Sequence, residues 1–208
     1  MAEAMRQINP DVVAAYPITP QTSTVQTFAN YVSDGLVDTE FVTVESEHSA
    51  MGVCLGASMN GARSFTASSS NGLAYMAENV MVAAFYRLPI VMAVVNRTLG
   101  PPWNIWADQG DSLMFRDFAW VQLYCDTIQD VADTSLLAFR LAEDPRILLP
   151  VMVCMDAFIV STSSSRFCSS SSSALAADDT SSVRRLFSAS SRAIFSIISG
   201  LSSDMPCP

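Results

Sequence analysis

The sequence predicts an α/β fold, a parallel sheet with helices on both faces, and three observations carry that prediction. Short β-branched runs recur along the first three quarters of the chain, nearly continuous in hydrophobicity rather than alternating, as strands covered on both faces require. Helix-length stretches separate them, and strand–helix alternation implies parallel strands joined by right-handed crossovers. Half of the 208 residues are hydrophobic and only 15% are charged, enough apolar material for a sizeable core.

Taken in order, VVAAY (Val12–Tyr16), FVTV (Phe41–Val44), RSFTA (Arg63–Ala67), PIVMAVV (Pro89–Val95), WVQLYC (Trp120–Cys125) and LPVMVCM (Leu149–Met155) read as strands. Helices are expected between them, over about 20–34, 46–61, 71–86, 109–117 and 128–143. The character changes after Val160. The segment 161–208 is dominated by serine, cannot bury enough apolar surface to offset its backbone entropy, and is expected to be a disordered or weakly helical tail. A weak helix is expected at most over Val183–Leu201. The domain proper is therefore placed at 1–160.

Charge and cysteine usage exclude several functions. The formal charge is −9, lysine is absent, and no basic stripe offers itself to nucleic acid. The five cysteines (Cys54, Cys125, Cys154, Cys168, Cys207) are scattered and lack C-x-x-C spacing. That argues against an iron–sulfur or structural zinc site made by this chain alone, and for a reducing, cytoplasmic compartment. The start MAEAMRQINP has no apolar signal-peptide core, and the longest apolar run, Ile147 to Val160, is too short to span a bilayer and contains Asp156. No membrane association is expected.

Active sites in parallel α/β folds lie on the loops beyond the carboxyl ends of the strands, so those loops carry the functional reading. In YPITPQT, two prolines flank Thr19 in a rigid turn; Thr19 offers a hydroxyl to a small ligand, or it or Thr22 merely caps the next helix. In VESEHSAMG, Glu45 and Glu47 sit where a strand gives way to a helix. They are either partners of the helix dipole or, for Glu47 beside the lone His48, a proton-transfer group. A metal site around His48 is not expected, with no second histidine or nearby cysteine. In VVNRTLGPPWNIWADQGDS, Arg97 follows a buried strand and suits bidentate recognition of a carboxylate, with Asn96 beside it. The later part, with Trp103, Trp106, Asp108, Gln109 and Asp111, has the composition of a lid, or is a surface loop capped by Asp111 at the next helix. SSSNG (Ser68–Gly72) is small and polar but lacks a phosphate-binding glycine pattern.

In this order and at these spacings, YPITP, VESEH, SSSNGLAYM, RLPIVMAVVNR and NIWADQGDSLMFRD resemble the alpha subunit of 2-oxoacid:ferredoxin oxidoreductases, most closely the pyruvate type. The resemblance covers Met1 to about Ile159 and ends in LLPVMVCMDAFIVS. It implies the pyrimidine-binding fold of thiamine diphosphate enzymes. It further implies that Glu47 is the carboxylate bonded to the aminopyrimidine N1′ of that cofactor, favouring the imino tautomer that takes the thiazolium C2 proton. Thr19 and Arg97 correspond to the pair holding the 2-oxoacid carboxylate. The implied reaction is oxidative decarboxylation of pyruvate to acetyl-coenzyme A with reduction of ferredoxin, or its reverse. The implied partners are a beta subunit carrying the diphosphate and magnesium site, a ferredoxin-like subunit with the iron–sulfur clusters, and a gamma subunit.

Some features depart from the family. Ser70–Asn71–Gly72 stands where the family usually has Ser-Gln-Gly, and Asp108–Gln109–Gly110–Asp111 lacks a histidine common there. No Gly-Asp-Gly diphosphate motif is present, as expected if that half lies on the beta subunit. The family continues after about Ser161 into a further α/β domain, whereas here the serine-rich tail follows, as a shifted reading frame or a truncated fragment would produce. The rival expectation is accordingly a truncated, non-catalytic product that keeps only a folding or subunit-docking domain.

Overall fold

The computed structural model describes residues 1–157. The serine-rich segment 161–208, with the weak helix expected over Val183–Leu201, lies outside the described residues.

The elements run α1 (Ala2–Ile8), β1 (Val12–Ala15), α2 (Thr22–Ser33), β2 (Glu40–Thr43), α3 (Glu47–Met59), β3 (Ser64–Ser68), α4 (Ser70–Tyr75), α5 (Ala77–Phe85), β4 (Val91–Val95), α6 (Gly110–Leu113), β5 (Val121–Cys125), α7 (Ile128–Ala142) and β6 (Val151–Met155). The strands form one six-stranded sheet in the order β2-β1-β3-β4-β6-β5, with every neighbouring pair parallel. Each expected strand is present, shifted by two residues at most. The interior strands β3, β4 and β6 are buried at every position, while β2 and β5, at the edges, are partly exposed.

Side chains alternate across the sheet into two cores. Val13, Phe65, Val91, Ala93, Val95 and Val153 face one side, where α1, α2 and α7 supply Met5, Phe28 and Phe139. Ala14, Met92, Val94, Met152 and Cys154 face the other, against α3, α4 and α5. Each fully buried valine on β4 contributes roughly 1.5–3 kcal/mol relative to an exposed one. On the second face Trp120, ahead of β5, donates its indole N–H to the Val80 carbonyl of α5 at 2.7 Å, so its polar edge is satisfied inside the core.

Three helical expectations are corrected. The stretch 71–86 is two helices, with the fully buried Met76 ending α4 and starting α5. The stretch 109–117 is α-helical only over Gly110–Leu113; Phe115, Arg116 and Phe118 then donate to carbonyls three residues back, and Ala119 (φ 57°) ends the run in the left-handed region. The third correction is α1, which was not expected. It holds by the 2.8 Å Arg6–Glu3 pair and by burial of Ala4 and Met5, and it stops at Asn9 (φ 50°). A helix this short has too little periodicity to announce itself in sequence.

Among the described residues, no helix is long and apolar enough to cross a membrane. Cys54, Cys125 and Cys154 are all buried free thiols. Burial pushes the Cys54 and Cys125 thiols up to about 12 and raises Cys154 as well. These three cysteines should therefore resist alkylation in the native protein at pH 8 and label only after denaturation. Peptide-resolved mass spectrometry checks this, and rapid native labelling of Cys54 would contradict the packing described.

Candidate active site

All six strands point the same way, so every strand-to-helix loop opens on one edge. The chain leaves β1 toward β2 on one side, while β3 lies on β1's other side, which opens a crevice between the loops after β1 and β3. Gln21 fills that crevice. It is fully buried, and its amide donates to the carbonyls of Tyr16 after β1 (2.8 Å) and Ala67 in β3 (3.2 Å), pinning the YPITP turn to the sheet. Thr19 is exposed in that turn; neither it nor Thr22 caps α2, whose N-cap is Gln21 without a side-chain cap bond.

Helix α3 decides between the two glutamates. Ser46 caps it by accepting the Ser49 N–H at 3.2 Å. Glu47, Ala50, Met51, Cys54, Leu55 and Ser58 then recur at helical spacing on the buried face. Glu47 is in phase with the core and 8% exposed; Glu45, in the preceding turn, is exposed. The Glu47 carboxylate faces Gly72 of α4 so closely that a Cβ there would stand 2.5 Å from its Oε1 and 2.8 Å from Ser68 Oγ. A Cβ there would force both side-chain ends to shift. Among the described residues, Glu47 has no hydrogen-bond or ion-pair partner, and the nearby Ser68 and Ser69 hydroxyls are buried without one.

Arg97 is the second residue past β4. Its guanidinium is held by two carbonyls, Nη1 to Thr19 at 2.8 Å and Nε to Asn104 at 3.0 Å. Nη2 makes no hydrogen bond among the described residues, and neither does the Thr19 hydroxyl. The structure thus joins Thr19 and Arg97, 78 residues apart, with one guanidinium face open. The loop between β4 and α6 folds back over them: Thr98 binds the Trp106 carbonyl through both N–H (2.9 Å) and hydroxyl (3.0 Å). Trp103 and Trp106, at its tip, are 70% and 71% exposed.

Asp111, read in the sequence either as part of a lid-like loop or as a cap on the next helix, joins the loops of the site. Asp111 is fully buried within α6. Its Oδ2 accepts the backbone N–H of Ser70 (2.9 Å) and Arg97 (3.0 Å); its Oδ1 accepts Asn96 Nδ2 and the Ser112 N–H, both at 2.8 Å. Burial pushes its carboxyl above the ordinary range, and these four donors oppose that rise. The sequence carried no signal for this burial: a polar-aromatic loop and the start of a helical stretch pointed only to a lid or a cap. Asn96, expected beside Arg97, serves Asp111 instead.

His48 is half-buried beside the Tyr75 ring, with Nε2 3.7 Å from Glu78. No group of three or more metal-ligating side chains occurs among the described residues. A polar cavity of about 330 Å³ opens beside Asn96 and Thr98, lined also by Asp108, Gln109 and Asp156.

Comparison with known proteins places these features in context. The family described as "Pyruvate flavodoxin/ferredoxin oxidoreductase, thiamine diP-bdg" matches residues 3–182. Pyruvate synthase subunit PorA of Thermotoga maritima is 58% identical over 161 residues, which are 77% of this chain and 41% of that protein. Ketoisovalerate oxidoreductase subunit VorA of Pyrococcus abyssi is 51% identical over 160 residues, again 77% of this chain and 40% of that protein. The chain therefore spans about two fifths of the length of the curated relatives it matches. Among solved structures, 2-oxoglutarate:ferredoxin oxidoreductase from Magnetococcus marinus, with 2-oxoglutarate, coenzyme A and succinyl-CoA bound, aligns with a TM-score of 0.64 at 26% identity, covering 74% of this chain and 28% of that one.

The Gly72–Glu47 contact is directly testable. Gly72→Ala should destabilise the chain by about 1–3 kcal/mol and displace the Glu47 side chain. Urea titration beside the control Gly56→Ala, which adds its methyl where nothing lies within 4 Å, reads the difference. Equal midpoints for the two variants would refute the close approach.

Proposed function

The chain belongs to the pyruvate flavodoxin/ferredoxin oxidoreductase family through its thiamine diphosphate-binding domain, and from that premise we propose that it forms the cofactor-activating half of a 2-oxoacid:ferredoxin oxidoreductase active site. The proposed reaction is oxidative decarboxylation of pyruvate to acetyl-coenzyme A with ferredoxin as electron acceptor, or its reverse, in the cytoplasm. One observation carries the reading: a carboxylate without a hydrogen-bond partner among the described residues, Glu47, buried at the head of a helix against a glycine.

The residues present fit thiamine diphosphate. Glu47 offers a carboxylate acceptor for a ring N–H of the aminopyrimidine, in a crevice walled by Gly72, Ser68 and Ser69. Bound there, the cofactor supplies the nucleophilic carbon and the electron sink that decarboxylation of a 2-oxoacid needs. The role of Glu47 is to share a proton at its carboxylate oxygen with that ring nitrogen, which sets the cofactor's tautomer. Arg97 presents Nη2 to the carboxylate of the 2-oxoacid, and the Thr19 hydroxyl adds a second donor. Because two carbonyls already orient the guanidinium, little rotamer freedom is lost on binding.

Partner subunits complete the proposal. We assign the diphosphate and magnesium site to a beta subunit and the iron–sulfur clusters to a ferredoxin-like subunit, with a gamma subunit in the assembly. The described cysteines lie on separate elements and are buried, so they are not placed to share a cluster. Exposed Trp103, Ile105 and Trp106 beside Arg97 offer apolar surface for a partner to cover, which would exclude water from the anchor.

Co-expression with the partner subunits tests the reading. Glu47→Gln should lower pyruvate-dependent acceptor reduction by about 100-fold or more, since it cannot share the proton in the same way. Unchanged turnover would sink the catalytic assignment. Absence of turnover in the assembled parent complex would instead favour the rival reading, a docking domain without catalysis. In the same assay Arg97→Lys should raise KM for pyruvate by about tenfold with a smaller change in kcat, because a point charge replaces an oriented fork.

A further inference from the structure

Arg97 leaves the sheet at a specific point. The Asn96 N–H still donates to the Met155 carbonyl of β6 at 2.8 Å, but the next N–H, that of Arg97, turns to Asp111. On the neighbouring loop Ser70 is fully buried with φ 51°, a left-handed conformation that costs a residue with a side chain about 1 kcal/mol or more. Its N–H also goes to Asp111, and its hydroxyl donates to the Thr98 carbonyl at 2.6 Å. The next two residues are Asn71, whose Oδ1 accepts the Gly100 N–H at 2.9 Å, and Gly72, against which Glu47 lies.

We propose that Asp111 is the positioning residue of the site, one carboxylate oxygen setting both the exit of the Arg97 anchor from β4 and the left-handed turn at Ser70 that places Gly72 under Glu47. The proposal rests on the functional reading of Arg97 and Glu47 given above. Asp111 touches neither substrate nor cofactor; it acts through the backbone of the two loops that do. Asparagine is a poor replacement. All four groups facing the carboxylate are N–H donors, so a carboxamide sets its NH2 against at least one backbone N–H, that of Ser112 even when Asn96 turns its own amide over to present its oxygen. The exchanged pair Asn96→Asp with Asp111→Asn reverses one contact instead. The new amide at 111 donates to the new carboxylate at 96 and keeps its oxygen for the Ser70 and Arg97 N–H groups, leaving only the Ser112 N–H unmet.

The test uses the full 208-residue chain and the co-expressed complex. In the chain, Asp111→Asn should accelerate hydrogen exchange at the Ser70 and Arg97 amides by about tenfold or more relative to amides of β4, and the exchanged pair should restore much of the protection. In the complex, Asp111→Asn should raise KM for pyruvate by about tenfold with a smaller change in kcat, again with recovery in the exchanged pair. Should Asp111→Asn alone fail to fold, recovery of both readouts in the exchanged pair still supports the proposal. Faster exchange spread evenly over the sheet, or a folded Asp111→Asn with unchanged exchange and KM, would overturn it. If exchange responds as expected while Glu47→Gln and Arg97→Lys leave turnover untouched, the functional reading fails and the positioning role of Asp111 stands by itself.

Discussion

A buried carboxylate surrounded by four N–H groups closes the functional edge of this sheet. Taken out of water alone, such a charge would cost several kcal/mol. Each hydrogen bond to it returns about 1.5–3 kcal/mol, and leaving any donor unmet inside the protein costs a comparable amount. The arrangement is consequently close to all-or-none. Ser70 is 41 residues away in sequence and Arg97 is 14 away, so one group brings three loops into a single geometry. The left-handed backbone at Ser70 and the departure of Arg97 from the ladder persist because Asp111 accepts both N–H groups.

Around that closure the site divides into two chemistries. On one side, α3 carries Glu47 into the crevice with the phase of a core residue, and Gly72 holds the space open. On the other, Arg97 is fixed by carbonyls rather than by carboxylates, so its charge is oriented without being neutralised. An acidic neighbour would have competed with any anionic ligand. Gln21, buried between the two loops at the reversal of strand order, keeps the YPITP turn in place for the carbonyl of Thr19 to meet Arg97. The apolar tip of the intervening loop points outward.

Much of the framework was legible because strands in a two-sided parallel sheet are uniformly apolar. The signal was clearest for β4 and β6, whose residues are all apolar, and it sufficed for β2 and β5 at the edges; β3 is as deeply buried yet carries Ser64, Thr66 and Ser68. It failed where local pattern and tertiary role diverge. Helix α1 draws on burial of Ala4 and Met5 against distant elements, and the expected helix over 71–86 breaks at a buried methionine that an apolar pattern cannot distinguish from its neighbours. Asp111 was read either as part of a lid-like loop or as a cap on the next helix, and neither reading buries it; its burial depends on loops far away in sequence.

The sequence alone determined the α/β class, the strand order along the chain and the loops that carry chemistry, because period and composition are local properties. It also singled out Thr19, Glu47 and Arg97, by residue type at strand ends and by resemblance. Only the tertiary structure decided that Thr19 and Arg97 meet, that the Glu47 carboxylate lies against Gly72, and that Asp111 is buried among the loops. These outcomes depend on which loops the parallel sheet gathers at one edge and on which polar groups then lose their water. Neither quantity is written in any short stretch of chain.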